Sequence, residues 1–225
     1  MTLVAFDFDG TLSDSEMTVL LGEQCGVAEQ MDEITQRAMI DEIEYAQSLR
    51  ERCALLSGLE MEKARAAFDQ VELRPGAAEV IDALNDAGVH TAILTGGFQR
   101  GVERALEKEG VTVDTIVANS LPAEESEAGT ASDASGQRPR VLTGEVEGPL
   151  IEGTKDDALE NLAHTVDVEM ADTIAVGDGA NDLPMLEVAG LAVGFDPKPS
   201  VAPACETIVE TMAELRELLE GEGIV

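Results

Sequence analysis

Apolar positions along this chain fall into two patterns. Leu3-Val4-Ala5-Phe6 is a short continuous apolar run ahead of acidic and Gly-rich residues, which predicts a buried parallel strand. From residue 16 to 68 the spacing changes. Met17, Leu20 and Leu21, then Met31, Ile34 and Ala38, then Tyr45, Leu49, Leu55 and Leu56 recur at helical intervals. No strand-like alternation interrupts them, so this stretch reads as a small helical unit. Pro75-Gly76 closes it and places Pro in the first turn of a further helix, with Val80, Ile81 and Leu84 on one face and Gly88 as its stop. Strands and helices then alternate: a strand at 90–94, a helix at 101–109 stopped by Gly110, a short strand at 115–117, a helix at 156–163, a strand at 173–176, a helix at 182–189, a strand at 191–194 and a last helix at 212–219. The fold class predicted is α/β, a doubly wound parallel sheet covered on both faces, with a small helical cap inserted after the first strand. Residues 1–15 and 73–225 would form the core and 16–72 the cap. Residues 120–140 would form an acidic surface loop, because 123–137 reads AEESEAGTASDASGQ and lacks any apolar period.

Composition restricts the partners. The 225 residues carry 46 acids against 14 bases, a formal net charge of −32. That field excludes broad binding to nucleic acid or to an anionic membrane. With 44% apolar residues the chain is nevertheless no disordered acidic tail. Only Lys63, Lys108, Lys155 and Lys198 are lysines, the remaining bases being arginine. An acidic, Lys-poor surface suits a cytoplasm of molar salt, where the Debye length falls to about 3 Å and self-repulsion is screened. Cys25, Cys53 and Cys205 form an odd, widely spaced set that reads as small buried hydrophobes in a reducing compartment. No apolar stretch approaches the roughly 18 residues needed to span a bilayer, and no basic leader precedes Asp7. A cytoplasmic protein is expected.

The candidate chemistry lies at strand ends. Asp7-Phe8-Asp9-Gly10-Thr11 follows the first predicted strand, and residues 7 and 9 of an extended chain share a side. Both carboxylates can therefore project from the C-terminal edge of the sheet, where doubly wound folds bind ligands. Gly10 permits a sharp turn and leaves an amide open to an anion. Gly177-Asp178-Gly179-Ala180-Asn181-Asp182 follows the strand at 173–176 and opens a helix, adding two carboxylates and an amide suited to a hard divalent cation. Thr95-Gly96-Gly97 follows the strand at 90–94 near a helix start at about Phe98, supplying a hydroxyl and exposed amides for phosphate oxygens. Lys155 stands just before the helix at 156.

In this order the four segments resemble the haloacid dehalogenase superfamily of aspartyl phosphotransferases, over essentially the whole chain outside 123–137. The resemblance implies a Rossmann-like core of that family's type and a magnesium cofactor. Asp7 would be the nucleophile. Asp9 would protonate the leaving oxygen and later activate water, its backbone carbonyl binding magnesium. Thr95 and Lys155 would grip the phosphoryl group, while Asp178 and Asp182 would hold or orient the metal beside Asp7 and Asp9. Asp9 must carry a proton in the first step, so its neighbouring carboxylates should raise its pKa. The cap resembles the phosphoserine phosphatase family in Glu16 and in the run Glu44-Tyr45-Ala46-Gln47-Ser48-Leu49-Arg50-Glu51-Arg52. By that resemblance Glu16 would pair with a substrate ammonium and Arg52 with its carboxylate. Met39 and Tyr45 would shut out solvent, and Gly96 and Asn181 would complete the substrate contacts.

Three activities fit these residues: hydrolysis of O-phospho-L-serine, transfer from or hydrolysis of another small phosphomonoester, and plain cation binding by an acidic protein. The last does not require Asp7, Thr95 and Lys155 at separate strand ends. A monomer or a homodimer is compatible with all three. Thermal melting against KCl tests the salt reading: Tm is expected to rise into molar KCl, and a Tm indifferent to salt would exclude it.

Overall fold

The computed structural model describes residues 1–39, 42–126 and 138–225. The first strand, β1 (Leu3–Phe6), is buried at every residue. Val4 and Phe6 pack into an apolar cluster on one face of the sheet, and Leu3 and Ala5 into a separate one on the other. A strand covered on both faces has no use for polar alternation, hence the unbroken apolar run. Four helices follow: α1 (Met17–Cys25), α2 (Ala28–Met39), α3 (Tyr45–Ala54) and α4 (Met61–Phe68). Next come α5 (Ala77–Asp86), β2 (His90–Phe98), α6 (Gln99–Glu109) and β3 (Thr115–Asn119). A hairpin of β4 (Ala123–Glu125) and β5 (Arg140–Leu142) precedes α7 (Lys155–Thr165). The chain ends with β6 (Thr173–Gly177), α8 (Leu183–Val188), β7 (Leu191–Phe195), β8 (Thr207–Val209) and α9 (Met212–Gly221).

Six parallel strands form the main sheet in the order β3-β2-β1-β6-β7-β8. The chain winds outward from β1 to β3, crosses over, and winds outward again from β6 to β8, so the order reverses between β1 and β6. Phe6 is in register with Ile93 of β2 on one side and with Val176 of β6 on the other. Asp7, Leu94 and Gly177, the next residues along, therefore stand at the same level, at the switch point where such sheets bind ligands. The first apolar cluster continues without a break into the cap helices, through Met17, Leu21, Leu49, Cys53 and Phe68. Phe68 of α4 meets Phe98 edge to face, their ring centroids 6.4 Å apart.

Several sequence expectations need correction. Pro75 lies outside the helix: Ala77 N–H donates to Arg74 O across Pro75-Gly76, and Gly76, at φ 89°, cannot continue a right-handed turn. β2 runs four residues beyond 94, through Thr95-Gly96-Gly97, and its pairing with β3 shifts register between Thr95 and Phe98. The glycine-rich segment is thus a bulged strand end. Lys155 is the first residue of α7 rather than its predecessor. Of the expected loop at 123–137, residues 123–125 are strand β4, paired antiparallel with β5, and 127–137 lie outside the described residues. β5 also reaches the cap, since Leu142 N–H donates to Leu59 O and its carbonyl accepts from Gly58 N–H. Cys53 is buried and Cys205 partly so, but Cys25 is exposed beside the end of α1, and all three are free thiols. Among the described residues no helix is long and apolar enough to cross a membrane.

Candidate active site

Asp7 leaves β1 with its N–H donating to Val176 O, which locks the first residue beyond the strand onto β6. The chain then turns back at once, with the amides of Thr11 and Ser13 both donating to Phe8 O. Gly10 sits in this turn at φ 93°, where a Cβ would lie 2.5 Å from Asp178 Oδ1. The turn after β1 and the turn after β6 are pressed together at that point, and only glycine leaves room. Arg74 braces the turn from behind, donating from Nη2 to Gly10 O at 3.0 Å while its guanidinium lies over the Phe195 ring.

Behind Asp7 lies a buried ion cluster. Lys155 Nζ donates to Asp7 Oδ1 at 2.5 Å and to Asp182 Oδ1 at 2.6 Å, and all three residues are at most 2% exposed. The second oxygen of Asp182 accepts from the amides of Asp178 and Gly179 at 3.0 and 2.8 Å, tying the turn after β6 to the same carboxylate. Carboxylate oxygens of Asp7, Asp178 and Asp182 come within 4.8 Å of one another. Asp9 adds a buried Oδ1 that has no hydrogen-bond partner. Hard oxygens in this number, one of them orphaned, fit a divalent cation.

The electrostatics lead to the same conclusion. Burial, with Asp182 and Asp178 close by, pushes Asp7 up to about 8 despite the pull of Lys155. Asp9 is held well above the ordinary carboxylate range by burial, then by Glu16 and Asp7. Asp178 is raised by burial and by Asp182. Desolvation alone would lower Lys155, but Asp182 and Asp7 outweigh it and keep the ammonium charged. The cluster carries more negative charge than its lysine can balance.

Above it opens a cavity of about 650 Å³ whose floor includes Asp7, Asp9, Thr95 and Asp178 and whose walls include Glu16, Tyr45 and Arg52 from the cap side. Gly96 and Asn181 line it as well, so most of the residues singled out from the sequence meet here. Lys155 and Asp182 do not reach the cavity wall; they lie underneath. The side chain of Met39 lies outside the described residues. Thr95 Oγ1 accepts from the Gly97 amide at 2.9 Å, which leaves its proton free to point elsewhere. Tyr45 places its hydroxyl against Gly96, where any side chain would collide with it. Burial lifts the Tyr45 hydroxyl to about 12, so it stays neutral. Arg52 donates from Nη1 to Thr18 Oγ1 at 3.0 Å, and its buried Nε lacks a partner. Partial desolvation raises Glu16, opposed by Arg52 and Lys198.

Sequence reasoning missed Thr18, which accepts from α1 a hydrogen bond donated by Arg52 of α3, and Lys198, which reaches Asp178 Oδ2 at 3.3 Å. The scarcity of lysine was a usable signal for Lys198, as it was for Lys155. Thr18 offered none, since a threonine early in an amphipathic helix is unremarkable by itself.

A buried lysine holding two carboxylates at the switch point of a parallel sheet, under a helical roof, marks the ligand site of a doubly wound α/β protein. The sequence matches the haloacid dehalogenase-like hydrolases over residues 4–187. It is 47% identical to the phosphoserine phosphatase of Halobacterium salinarum over 224 residues, which span 100% of both chains. Identity to the phosphoserine phosphatase of Methanocaldococcus jannaschii is 35% over 219 residues, 97% of this chain and 96% of the other. A substrate-bound phosphoserine phosphatase structure superimposes with a TM-score of 0.82 at 35% identity, covering 97% of each chain. A phospho-aspartyl intermediate analogue of phosphoserine phosphatase gives 0.81 at the same identity and coverage. The chain therefore belongs to the haloacid dehalogenase-like hydrolases, in the phosphoserine phosphatase family. The Halobacterium relative also accords with the salt-adapted reading of the charge.

The raised carboxyls fix the sign of a pH effect. Between the unfolded carboxylate range near pH 4 and the Asp7 value of about 8, the folded chain binds more protons than the unfolded one, so stability falls as pH rises. In chelator and molar KCl, Tm is expected to be lower at pH 8 than at pH 5, and a divalent cation should restore it. Asp178→Asn should narrow the gap by about 2–4 °C for each kcal/mol relieved. Differential scanning calorimetry checks this; a Tm that climbs with pH would contradict it.

Proposed function

We propose that this protein is a magnesium-dependent, cytoplasmic phosphatase that hydrolyses O-phospho-L-serine to L-serine and phosphate, the last step of serine biosynthesis. One observation carries the reading: a single cavity joins Asp7 on its floor, paired from below with Lys155, to Glu16 and Arg52 on its walls. A zwitterionic amino acid bearing a phosphate requires one acid for its ammonium, one forked guanidinium for its carboxylate, and a site for the ester. Residues 1–15 and 73–225 supply the ester chemistry, and 16–72 the recognition of the amino acid.

Asp7, Asp178 and Asp182, with the Asp9 carbonyl, would hold magnesium, which would supply neutralisation of the phosphoryl oxygens. The protein's residues do the rest. Lys155 occupies Asp7 Oδ1, so Oδ2 is the oxygen left to attack phosphorus. Two of its three ammonium donors are used on Asp7 and Asp182, so it fixes the nucleophile from beneath the cavity floor. The Thr95 hydroxyl, whose proton is free, holds a phosphoryl oxygen. Asp9, with its raised pKa, enters protonated and gives its proton to the serine oxygen as the P–O bond breaks. An aspartyl-phosphate on Asp7 remains. Asp9, now ionised, takes a proton from water, which attacks phosphorus and frees Asp7. Tyr45, against Gly96, keeps bulk water from the ester while serine leaves.

Phosphate release from a panel of phosphomonoesters, with magnesium in molar KCl, tests the reading; preference for an ester lacking the amino-acid head group would overturn it. Asp7→Asn is expected to cut turnover at least about a thousandfold with Tm preserved. Arg52→Ala should lower kcat/KM for phosphoserine by about a hundredfold and that for an uncharged aryl phosphate far less, because only the first presents a carboxylate. Unchanged phosphoserine kinetics would remove Arg52 from the site.

A further inference from the structure

We propose that Lys198 is a working cation of this site, one that weakens the hold on the divalent metal and strengthens the hold on the anionic ester. The residue belongs to the segment after β7, which turns at Asp196 with φ 40°. Three backbone bonds fix it: its N–H donates to Asp178 O at 2.9 Å, and its carbonyl accepts from Val201 and Ala202 at 2.8 and 3.1 Å. From that anchored position Nζ lies 3.3 Å from Asp178 Oδ2, on a side chain 43% exposed that lines the cavity. Lys198 is therefore held to Asp178 twice, by its N–H at the backbone carbonyl and by its ammonium at the carboxylate.

Charge on the cavity wall gives this placement its meaning. Asp7, Asp9, Glu16, Glu44, Glu152 and Asp178 face the cavity, while Arg52 and Lys198 are its only cations among the described residues. Arg52 is tied to Thr18 on the cap side, and Lys155 lies behind Asp7. Among the described residues, Lys198 is thus the one cation that lines the cavity from the sheet side. An ammonium in contact with Asp178 repels a divalent cation sharing that carboxylate and attracts phosphate oxygens arriving above it. Contact at 3.3 Å is about one Debye length in molar salt, so the effect survives where longer-range attraction is screened. A lysine suits this role better than an arginine: its charge is compact and its stem flexible, so it can leave Asp178 for the ester.

The ester half rests on the phosphatase reading above; the metal half does not. Wild type, Lys198→Met and Lys198→Arg are compared in molar KCl, with circular dichroism to confirm folding and Lys198→Gln in reserve should the Met variant fail to fold. Magnesium chloride is titrated calorimetrically without substrate. Inorganic phosphate is then titrated at saturating magnesium. Lys198→Met is expected to bind magnesium about three- to tenfold more tightly and phosphate about three- to tenfold more weakly. Its phosphoserine KM should rise by a similar factor, exceeding any fall in kcat, and Lys198→Arg should move all values back toward wild type. Magnesium affinity equal to or below wild type, or undiminished phosphate affinity, would overturn the proposal. Should wild type release phosphate from no ester, the phosphatase reading fails, while the magnesium titration still decides whether Lys198 opposes the metal.

Discussion

The ammonium of Lys155, buried between Asp7 and Asp182, is the contact on which the rest of this structure depends. It joins the first residue of α7 to the turns after β1 and β6, so one charge sets the spacing of three chain segments that are far apart in sequence. Removing one partner from such a buried group costs about 3–5 kcal/mol, because the others keep charges that nothing balances. The same arrangement is what makes the site reactive. Carboxylates that cannot all be neutralised by one lysine remain ready to accept a cation and a phosphoryl group. Stability and chemistry thus pull in opposite directions within a few ångströms.

Outside the site the electrostatic problem is inverted. A net charge of −32 surrounds a cavity whose ligand is itself an anion, so the protein as a whole repels what the site must hold. Molar salt removes the long-range part of that repulsion. Attraction is left to short-range cations, and among the described residues these are few: Arg52 and Lys198 on the cavity wall, with Lys155 buried beneath Asp7. The many surface carboxylates belong to the relation between protein and solvent, and only the handful at the strand ends belong to the reaction.

Most of the fold was legible because its signals are local and periodic. The run at β1, the helical spacing of the cap and the alternation after residue 90 each follow from burial on both faces, one face or one stripe. Asp7, Asp9, Asp178 and Thr95 were equally legible, since each lies at or just beyond the end of an apolar run. What escaped was short or dependent on tertiary pairing. β8 has three residues, with Ile208 half exposed at the sheet edge, and β4 is Ala-Glu-Glu, apolar only at its first position. Their strand character comes from partners the local sequence does not reveal. Pro75 was misplaced because Pro-Gly serves both helix starts and turns, and only the positive φ at Gly76 decides between them. Thr18 escaped because its role lies entirely in the arginine it faces from another helix.

The equal register of β1, β2 and β6 has a consequence for how this protein can vary. The height at which Asp7, Thr95 and Asp178 emerge is set by hydrogen bonds inside the sheet, not by the connections that lead into the strands. A connection can lengthen at an entropic cost that grows only with the logarithm of its length, while the atoms at the strand ends stay where the ladder puts them. A slip of two residues in one strand, by contrast, would carry its group nearly 7 Å along the sheet, with every side chain still facing its proper side. The protein is thus tolerant of insertion and intolerant of misalignment.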